Sequence, residues 1–307
     1  MTTNKQVTSN NSLIGVLNIY KEPDYTSHDV VAIIRRTLEM KRVGHTGTLD
    51  PNAQGVLPIC VGTATRLADY IAAEDKTYVA DLILGITTDT GDTTGNVLTK
   101  NETNLKFNIS DIENVLSTFL GQQFQVPPMY SAIKINGQKL YELARKGIEV
   151  ERKPREIFIN GIEIVEEISG GYRIKVNCSK GTYIRSLCMD IGKKLGCGGT
   201  MDALVRTKSG QFLAENAHKL EDIKFATQAG NINDFIMPVQ KVLPYPTYNV
   251  KPEGQPRALN GNPLSLKFIE NYESLAYGNK YWLTCNSKII GLYKFSNKDE
   301  LRSEVML

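Results

Sequence analysis

The chain has 307 residues, of which 41% are hydrophobic and 22% charged, so it is long enough for a large core and more than one domain. No apolar run approaches the roughly 20 residues that span a bilayer, and the polar opening MTTNKQVTSNNS lacks the apolar segment of a signal peptide. The net charge of +3 neither predicts nor excludes a nucleic-acid ligand, because a basic face can be hidden within a nearly neutral total.

Cysteine and histidine, the residues that most often bind zinc, are sparse in this chain. There are five cysteines and three histidines, and no two cysteines have the C-x-x-C spacing of a metal or redox site. The cysteines stand at positions 60, 178, 188, 197 and 285. We expect reduced, mostly buried thiols in a cytoplasmic protein, no metal site and no membrane contact.

The first third of the chain predicts a strand, a helix and a glycine-rich loop, in that order. LIGVLNIY, residues 13–20, has the length and apolar character of a buried strand. Thr26 is suited to cap a helix, and the apolar spacing after it continues to Leu38, so we expect a helix that Gly44 ends. The loop GHTGTLDPNAQG, residues 44–55, comes next, followed by VLPICVG and a helix around ATRLADYIA.

The middle of the chain predicts strands, an acidic turn region and short helices. KTYVADLIL alternates as a strand does, and TTDTGDTTG after it is rich in turn-forming Asp, Thr and Gly. A calcium loop is the alternative, but Gly91 stands where a ligand is needed, so turns are the better interpretation. Ser110 and Glu113 have the spacing of a capping box, and Asn136-Gly137 is typical of a hairpin turn before the short helix LYELARKG.

The last part of the chain indicates a boundary between two domains. ERKPREIFINGIEI and GYRIKVNC each predict a strand, and the apolar spacing from Thr182 to Leu195 predicts a helix. Prolines cluster between residues 244 and 256, which indicates a linker. The short runs KYWLTCN and KIIGLYKF beyond it predict a small β-rich module. We therefore divide the chain into a large domain, residues 1–246, and a small one, residues 247–307.

In two segments, the polar residues are not all explained by the needs of a turn or a helix start. Asp50 precedes a proline in the glycine-rich loop, where an Asp most often hydrogen-bonds its own turn, and a lone His45 is most often a surface residue. In CSKGTYIRSL, residues 178–187, Gly and Thr explain a strand-to-helix junction, but Tyr183 and Arg185 are left unexplained. An arginine beside a catalytic carboxylate would keep it ionised and correctly aimed.

Together, these motifs resemble the TruB family of bacterial tRNA pseudouridine-55 synthases. GHTGTLDP and CSKGTYIRSLCMDIGKKLGCG carry the resemblance, and KEPDYTSHDV, VLPICVGTATRLADYI, KTYVADLILGITTDTGD and PPMYSAIKINGQKLYELARKGIEV match other segments in the family's order and spacing. The resemblance implies an α+β fold: a mixed-sheet pseudouridine synthase catalytic domain followed by a small β-rich, PUA-like RNA-binding domain. Lys21 of the family's K-P-x-G-x-T-S stretch is retained, whereas Glu22 replaces a frequent proline and Asp24 a frequent glycine.

The resemblance also implies roles for residues of the active site. Asp50 matches the catalytic aspartate, and Arg185 matches its partner. Tyr78 matches the aromatic residue that stacks on the target base, although packing within a strand explains it equally well from the residues alone. Tyr183 and Leu204, the latter in ALVRTKSG, match residues of the pocket.

The resemblance further implies an RNA substrate and a reaction without cofactors. His45 matches the residue that fills the space left by a flipped uridine, and we expect further RNA contacts from Lys21 and Lys180. The implied substrate is the T-arm stem-loop of tRNA, with no protein partner required. Because pseudouridine is an isomer of uridine, the chemistry requires no redox cofactor, ATP or metal.

Several alternatives stay open on the sequence. Asp50 either adds to the sugar as a nucleophile or removes a sugar proton to give a glycal. A guide-RNA-dependent rRNA pseudouridine synthase is a second possible function, disfavoured because the chain lacks a long basic tail and carries the bacterial middle hairpin. An RNA-binding or RNA-folding module without catalysis is a third, disfavoured because Asp50, Tyr78 and Arg185 are all present.

Overall fold

The computed structural model describes residues 13–101, 107–135, 137–297 and 299–307. The strands are β1 Gly15–Lys21, β2 Val43–His45, β3 Gln54–Val61, β4 Lys76–Leu84, β5 Ile86–Thr88, β6 Val97–Lys100, β7 Gly121–Gln125, β8 Lys134–Ile135, β9 Gln138–Lys139, β10 Arg155–Ile168, β11 Gly171–Cys178, β12 Gly199–Ser209, β13 Phe212–Leu213, β14 Ile236–Met237, β15 Thr247–Asn249, β16 Leu264–Ser265, β17 Lys280–Cys285, β18 Lys288–Asn297 and β19 Glu300–Met306. The α-helices are α1 Ser27–Thr37, α2 Ala68–Ala72, α3 Ile109–Ser117, α4 Leu140–Ala144, α5 Ile184–Lys194, α6 Leu220–Ala229, α7 Val239–Val242 and α8 Gln255–Leu259. None of the helices in these ranges has the length and hydrophobicity that crossing a bilayer takes.

Ten strands form one mixed sheet. Eight of them follow the order β14-β1-β3-β12-β4-β11-β10-β7, while β2 pairs with β3 and β13 pairs with β12. β3 and β12 are parallel, and the other neighbours are antiparallel. Apolar side chains of the sheet pack against those of α1, α3, α5 and α6 in one core. This mixed sheet covered by helices confirms the α+β expectation.

Two connections of this sheet carry the expected site residues. Asp50 lies in the loop between β2 and β3, and Arg185 lies in the first turn of α5, after β11. In the sheet, β12 and β4 separate β3 from β11, and they place Arg206 opposite Tyr78. The fold therefore brings together two residues that are 135 positions apart in the chain.

The last five strands form a second sheet in the order β15-β17-β18-β19-β16, as expected for a small β-rich module. It shares a hydrophobic cluster with the large sheet. Residues of that cluster are Val16, Val56 and Cys60 from the large sheet, Leu67 and Ile71 from the helical segment after β3, and Trp282, Leu292 and Val305 from the small sheet. The Trp282 indole N–H donates to the Leu243 carbonyl at 2.8 Å. Removing the small sheet would therefore expose apolar surface of strands β1 and β3.

The first helix ends earlier than the sequence predicts. Thr26 caps α1 as expected, and Asp29 completes a capping box with it. The helix ends at Thr37, however, because Glu39 takes a φ of 54° and turns the chain away from the helical path. Gly44 does not end a helix but lies in β2.

Two smaller expectations concern the middle of the chain. The capping box of α3 is formed by Asn108 and Asp111 rather than Ser110 and Glu113, because the helix already begins at Ile109. In the expected Asn136-Gly137 turn, the asparagine lies outside the described residues.

Candidate active site

A pocket of about 530 Å³ opens between the loop after β2, the first turn of α5 and strands β4 and β12. Most of the residues that the sequence singles out line this pocket. They are Asp50, Tyr78, Lys180, Tyr183, Arg185 and Leu204. Lys21 at the end of β1 and His45 at the end of β2 do not line the pocket.

The centre of the pocket is an ion pair between Asp50 and Arg185. Nε of Arg185 lies 2.9 Å from Oδ2 of Asp50, and its Nη2 donates to Oδ1 at 3.2 Å. These two contacts hold the carboxylate in the plane of the guanidinium. The Arg185 side chain is 5% exposed, whereas that of Asp50 is 39% exposed. The carboxylate is thus fixed in orientation yet accessible from the pocket.

Arg185 is itself held by two other segments of the chain. Its Nη1 donates to the Thr90 carbonyl at 2.9 Å and its Nη2 to the Tyr130 carbonyl at 2.8 Å, while Oδ2 of Asp92 lies 3.8 Å from its Nε. Oδ1 of Asp92 accepts from the backbone N–H of Thr94, which confirms that TTDTGDTTG is a turn region. The sequence did not show that these turns orient the arginine, because the contacts are made largely by backbone carbonyls.

The loop that carries Asp50 is held on one side by the start of α1. The Ser27 hydroxyl accepts from the N–H of Leu49 at 2.9 Å and donates to the Leu49 carbonyl at 3.2 Å. The N–H of Asp24 donates to the Pro51 carbonyl at 3.1 Å. Asp24 has a φ of 69°, a left-handed conformation that glycine adopts without cost. That conformation explains why glycine suits this position. Asp24, which replaces the glycine that is frequent in the family, still forms the hydrogen bond to the Pro51 carbonyl.

Lys21 is fully buried, which argues against the expected contact with RNA. Its exposed fraction is 0%, and its ammonium donates to the carbonyls of Pro51 at 2.8 Å and Glu22 at 3.0 Å. Burial lowers its pKa from 10.5 to about 8, although the nearby Asp50 charge opposes the shift. With no exposed surface, Lys21 offers RNA no contact in this conformation. Its bond to the Pro51 carbonyl supports the Asp50 loop instead.

Arg206 is a residue of the site that the sequence analysis missed. Its side chain lines the pocket and is 1% exposed. Its Nε donates to the Val56 carbonyl at 2.7 Å, its Nη2 to Gly47 at 3.2 Å and its Nη1 to Thr48 at 3.5 Å. Leu204, an expected pocket residue, lies two positions earlier on the same strand. Because side chains two apart share a face of a strand, this spacing was the available signal.

Tyr78 belongs to both the core and the pocket. It is 9% exposed and packs in the main hydrophobic core, and part of its side chain lines the pocket. Burial raises the pKa of its hydroxyl, although the neighbouring Arg206 charge opposes the shift. The hydroxyl is therefore protonated at neutral pH.

The backbone of Tyr183 is held by a buried glutamine at the edge of the sheet. Oε1 of Gln125 accepts from the N–H of Tyr183 at 2.8 Å, and Nε2 donates to its carbonyl at 3.0 Å. Burial raises the pKa of the Tyr183 hydroxyl. Lys180, three residues earlier, is exposed at the mouth of the pocket. The junction before α5 thus presents a fixed tyrosine inside the pocket and a basic side chain outside it.

His45 is half-buried beside the pocket and is neutral. Its Nδ1 accepts from the N–H of Gly47 at 3.3 Å, and its ring centroid lies 5.4 Å from that of His28 in an edge-to-face arrangement. Burial lowers its pKa from 6.5 to about 4, and the charges of His28 and Arg206 add to the shift. Since Nδ1 accepts, the neutral ring carries its proton on Nε2. His45 is therefore available as an uncharged hydrogen-bond donor.

We expect His45→Gln to weaken the dependence of Tm on pH between about 4 and 6.5. The folded pKa lies below the usual value, so in this window the unfolded chain binds more protons and acidification favours unfolding. Glutamine does not titrate, so the variant should lose less Tm than the wild type when the pH falls from 6.5 to 4. Thermal unfolding followed by circular dichroism at several pH values measures this. Equal slopes for the two proteins would contradict a buried, neutral His45.

The cysteines take no part in the pocket. All five are buried and free, as expected, and burial raises the pKa of the Cys60 thiol to about 12. Within the described part of the chain, no three His, Cys, Asp or Glu side chains are grouped so that they could hold a metal ion. The charged and aromatic side chains that line the pocket include Asp50, Arg185, Arg206, Tyr78 and Tyr183.

Two family models match the chain one after the other. The model described as TruB family pseudouridylate synthase (N terminal domain) matches residues 35–184, and the model described as tRNA pseudouridylate synthase B C-terminal domain matches residues 185–244. A protein of Clostridium tetani named tRNA pseudouridine synthase B is 54% identical over 229 residues, which cover 75% of this chain and 78% of the relative. A protein of the same name from Alkaliphilus oremlandii is 42% identical over 286 residues, covering 93% of this chain and 94% of the relative.

Solved structures with a similar fold cover nearly the whole chain. The archaeal box H/ACA sRNP Nop10-Cbf5 complex contains a chain that matches with a TM-score of 0.70 and 25% identity, covering 100% of this chain and 92% of that one. A Cbf5-Nop10-Gar1 complex contains a chain that matches with a TM-score of 0.71 and 26% identity, covering 95% and 84%. The similarity in sequence is thus much greater to the curated relatives than to these structures.

Proposed function

This chain belongs to the TruB family of pseudouridylate synthases, and we propose that it isomerises uridine 55 in the T arm of tRNA with Asp50 as the catalytic carboxylate. The family relationship makes it a tRNA pseudouridine synthase. The observation that carries the assignment of Asp50 is its ion pair with Arg185 inside the pocket, at 2.9 Å and 3.2 Å. An accessible carboxylate held in a fixed orientation by a buried arginine suits attack on, or proton removal from, a sugar.

The pocket is suited to a nucleotide that has left the RNA stack. Flipping a base costs a few kcal/mol, which stacking and hydrogen bonds in the pocket must recover. We assign stacking to Tyr78, whose side chain packs in the core and also lines the pocket. We assign His45 to the space that the base vacates, since it lies beside the pocket and its neutral ring can donate from Nε2. Lys180, exposed at the mouth, is placed to meet a phosphate.

The reaction exchanges the bond from C1′ to N1 for a bond from C1′ to C5. In one route Asp50 attacks C1′ and the electron pair of the broken bond leaves with uracil. In the other route Asp50 removes the C2′ proton, the same bond breaks, and a glycal results. The uracil anion then turns and C5 bonds to C1′. In the first route this breaks the ester bond between C1′ and Asp50, and in the second Asp50 returns its proton to C2′. N1 then gains a proton and C5 loses one. Either route returns the carboxylate of Asp50 unchanged, so nothing is oxidised or reduced overall.

The two other functions considered from the sequence are less well supported. Relatives named tRNA pseudouridine synthase B are 42% to 54% identical to this chain, whereas the chains in complexes with Nop10 are 25% to 26% identical. The guide-dependent function is therefore supported only by the more distant similarity. A module without catalysis would not need the paired, accessible carboxylate of Asp50. We further propose that the chain acts in the cytoplasm and needs no protein partner.

The direct test is to incubate the purified chain alone with unmodified tRNA and to map pseudouridine at single-nucleotide resolution. We expect modification at position 55 and none elsewhere in the T arm. Modification only after addition of a guide RNA or a protein fraction would favour the guide-dependent alternative. No modification in any mixture, with tRNA still bound, would favour the module without catalysis.

We expect protein dialysed against EDTA to remain active. The isomerisation moves no electrons between molecules, so it needs no redox-active metal. The measurement is the single-turnover rate on a pre-folded T-arm stem-loop, since full-length tRNA often needs magnesium for its own folding. Activity that disappears with EDTA and returns only with one divalent ion would show that the reaction uses a metal.

We also propose that residues 1–246 act as the catalytic domain and residues 247–307 as a PUA-like RNA-binding domain. The separate five-stranded sheet supports this division. Because the two sheets share a hydrophobic cluster, deleting the small one would disturb the strands beside the Asp50 loop. Substitution of surface lysines is therefore a better test than truncation.

Two lysines of the small domain are exposed and suited to phosphate contacts. They are Lys288 in β18 and Lys267 in the turn after β16, whose ammonium lies 5.0 Å from the centroid of the Phe268 ring. Lys280 is not suited to such contacts, because its ammonium lies 3.0 Å from Glu304 and 4.3 Å from the centroid of the Tyr70 ring. Removal of one lysine that neutralises a phosphate should make the salt dependence of binding shallower by about 0.9 on duplex RNA, a value taken from B-form DNA.

We therefore expect Lys267→Gln combined with Lys288→Gln to bind tRNA more weakly, with a shallower salt slope. The single-turnover rate at saturating tRNA should stay close to that of the wild type. Lys224→Gln on α6 is the matched control and should leave affinity unchanged. If affinity and slope are the same in all three proteins, the small sheet does not bind the RNA through these lysines.

A further inference from the structure

Arg206 lies directly beneath the loop that carries Asp50. Its guanidinium is enclosed, with 1% of the residue exposed, and it donates to the carbonyls of Gly47, Thr48 and Val56. The first two carbonyls belong to the loop shortly before Asp50, and the third belongs to β3 just after the loop. One side chain therefore ties both ends of the loop to strand β12.

The charge of Arg206 is balanced by carbonyl dipoles rather than by a carboxylate. None of the ion pairs among the described residues includes Arg206. A buried guanidinium without a counter-ion is costly, and an apolar side chain of similar volume would often serve packing better. The three carbonyls offset part of that cost. Its positive charge also contributes to the low pKa of His45, so its field reaches the loop.

The backbone around Arg206 is built for close approach to that loop. Arg206 pairs with Gly55 where β12 and β3 run parallel. Gly55 has a φ of 103°, and a Cβ added there would lie 2.2 Å from the Arg206 carbonyl oxygen. Only glycine permits this approach, and the approach places the guanidinium within reach of Gly47 and Thr48.

We propose that Arg206 is a positioning residue for catalysis. By donating to the carbonyls of Gly47 and Thr48, it fixes the orientation of the Asp50 carboxylate relative to the guanidinium of Arg185. Its link to activity rests on the proposed function, whereas its geometric part concerns this chain alone. Lysine at this position would keep the charge but lose the planar fork, so it could not hold both carbonyls in the same way.

The kinetic test uses Arg206→Lys with saturating tRNA. We expect the single-turnover rate to fall about 10- to 100-fold, because a displacement of about 1 Å in a catalytic group can cost that much, while the Kd for tRNA stays within about threefold. Arg173→Lys, on the β11 strand and paired with Asp81 and Glu166, is the matched control and should keep the wild-type rate. A rate for Arg206→Lys within about threefold of the wild type would overturn the proposal.

A double-mutant cycle separates positioning from loss of stability. If Arg206 acts through the pair of Asp50 and Arg185, adding Arg206→Lys to Arg185→Lys should cost less than about threefold more. Losses that multiply would overturn the proposal, since they would mean that Arg206 acts independently of Arg185.

The geometric part is tested by a crystal structure of Arg206→Lys without RNA. We expect the two contacts between Asp50 and Arg185 to lengthen or break. Unchanged distances for both contacts would overturn the proposal. This readout does not need activity, so a wild-type chain that fails to modify tRNA would count against the proposed function alone. If Arg206→Lys does not fold, Arg206→Gln is measured at the lowest practical temperature. Failure of both variants to fold would assign Arg206 to stability and would also overturn the proposal.

Discussion

Asp50→Asn should lower the rate of pseudouridine formation by about 10³-fold or more, with the Kd for tRNA unchanged within a few-fold. The amide has nearly the same shape as the carboxylate and can still accept one hydrogen bond from Arg185. It cannot act as a nucleophile toward C1′ or take up a sugar proton. The measurement is single-turnover formation of pseudouridine at saturating tRNA, with affinity determined separately.

The matched control for this substitution is Asp222→Asn at the start of α6. The Asp222 carboxylate accepts from the N–H of Lys219 at 2.8 Å, and it does not line the pocket. Its replacement should leave the rate close to that of the wild type. If Asp50→Asn retained a near-normal rate, the carboxylate would only be satisfying its own turn, which is the commonest role of an Asp before proline.

Arg185→Lys should lower the single-turnover rate by about 10²-fold or more without a matching loss of affinity. Arg185 makes four contacts at 3.2 Å or less, two to Asp50 and one each to the carbonyls of Thr90 and Tyr130. A lysine ammonium is a single charged point, so it cannot reach all of these acceptors or hold the carboxylate in a plane. The charge would be kept while the orientation of Asp50 would not.

Binding measured beside the rate decides between orientation and simple charge. A folded Arg185→Lys protein with a full rate would show that the positive charge alone suffices. A loss of affinity equal to the loss of rate would show instead that Arg185 contacts the RNA. Arg173→Lys again serves as the control, because it changes an arginine of β11 that is paired with carboxylates outside the pocket.

Local patterns in the sequence were sufficient for several elements of the fold. KTYVADLIL and GYRIKVNC are strands β4 and β11 over their full lengths, because a short run of apolar, β-branched and aromatic residues is a local property of the sequence. Thr26 caps α1 for the same reason, since a cap is a contact between residues three apart. The family motifs also pointed to Asp50 and Arg185, which the structure brings together.

The end of α1 and the role of Lys21 could not be predicted in this way. Gly44 suggested a helix end, but this residue lies in strand β2, which pairs with β3. Lys21 was expected to contact RNA because it is retained in the segment that resembles the family. It is buried instead, and its ammonium donates to the carbonyl of Pro51 in the Asp50 loop and to that of its neighbour Glu22.

What the sequence by itself determined is the identity of the chemical groups: a carboxylate in a tight loop, an arginine at a helix start, a tyrosine in a strand and the family to which they belong. What only the tertiary structure decided is how those groups are held. Arg206, Thr90, Tyr130 and Gln125 act on the site through backbone atoms, either by donating to carbonyls or by offering them. Every residue has the same backbone carbonyl, so no letter in the sequence marks one as an acceptor. The folded chain selects these carbonyls by bringing segments that are distant in sequence within hydrogen-bond distance.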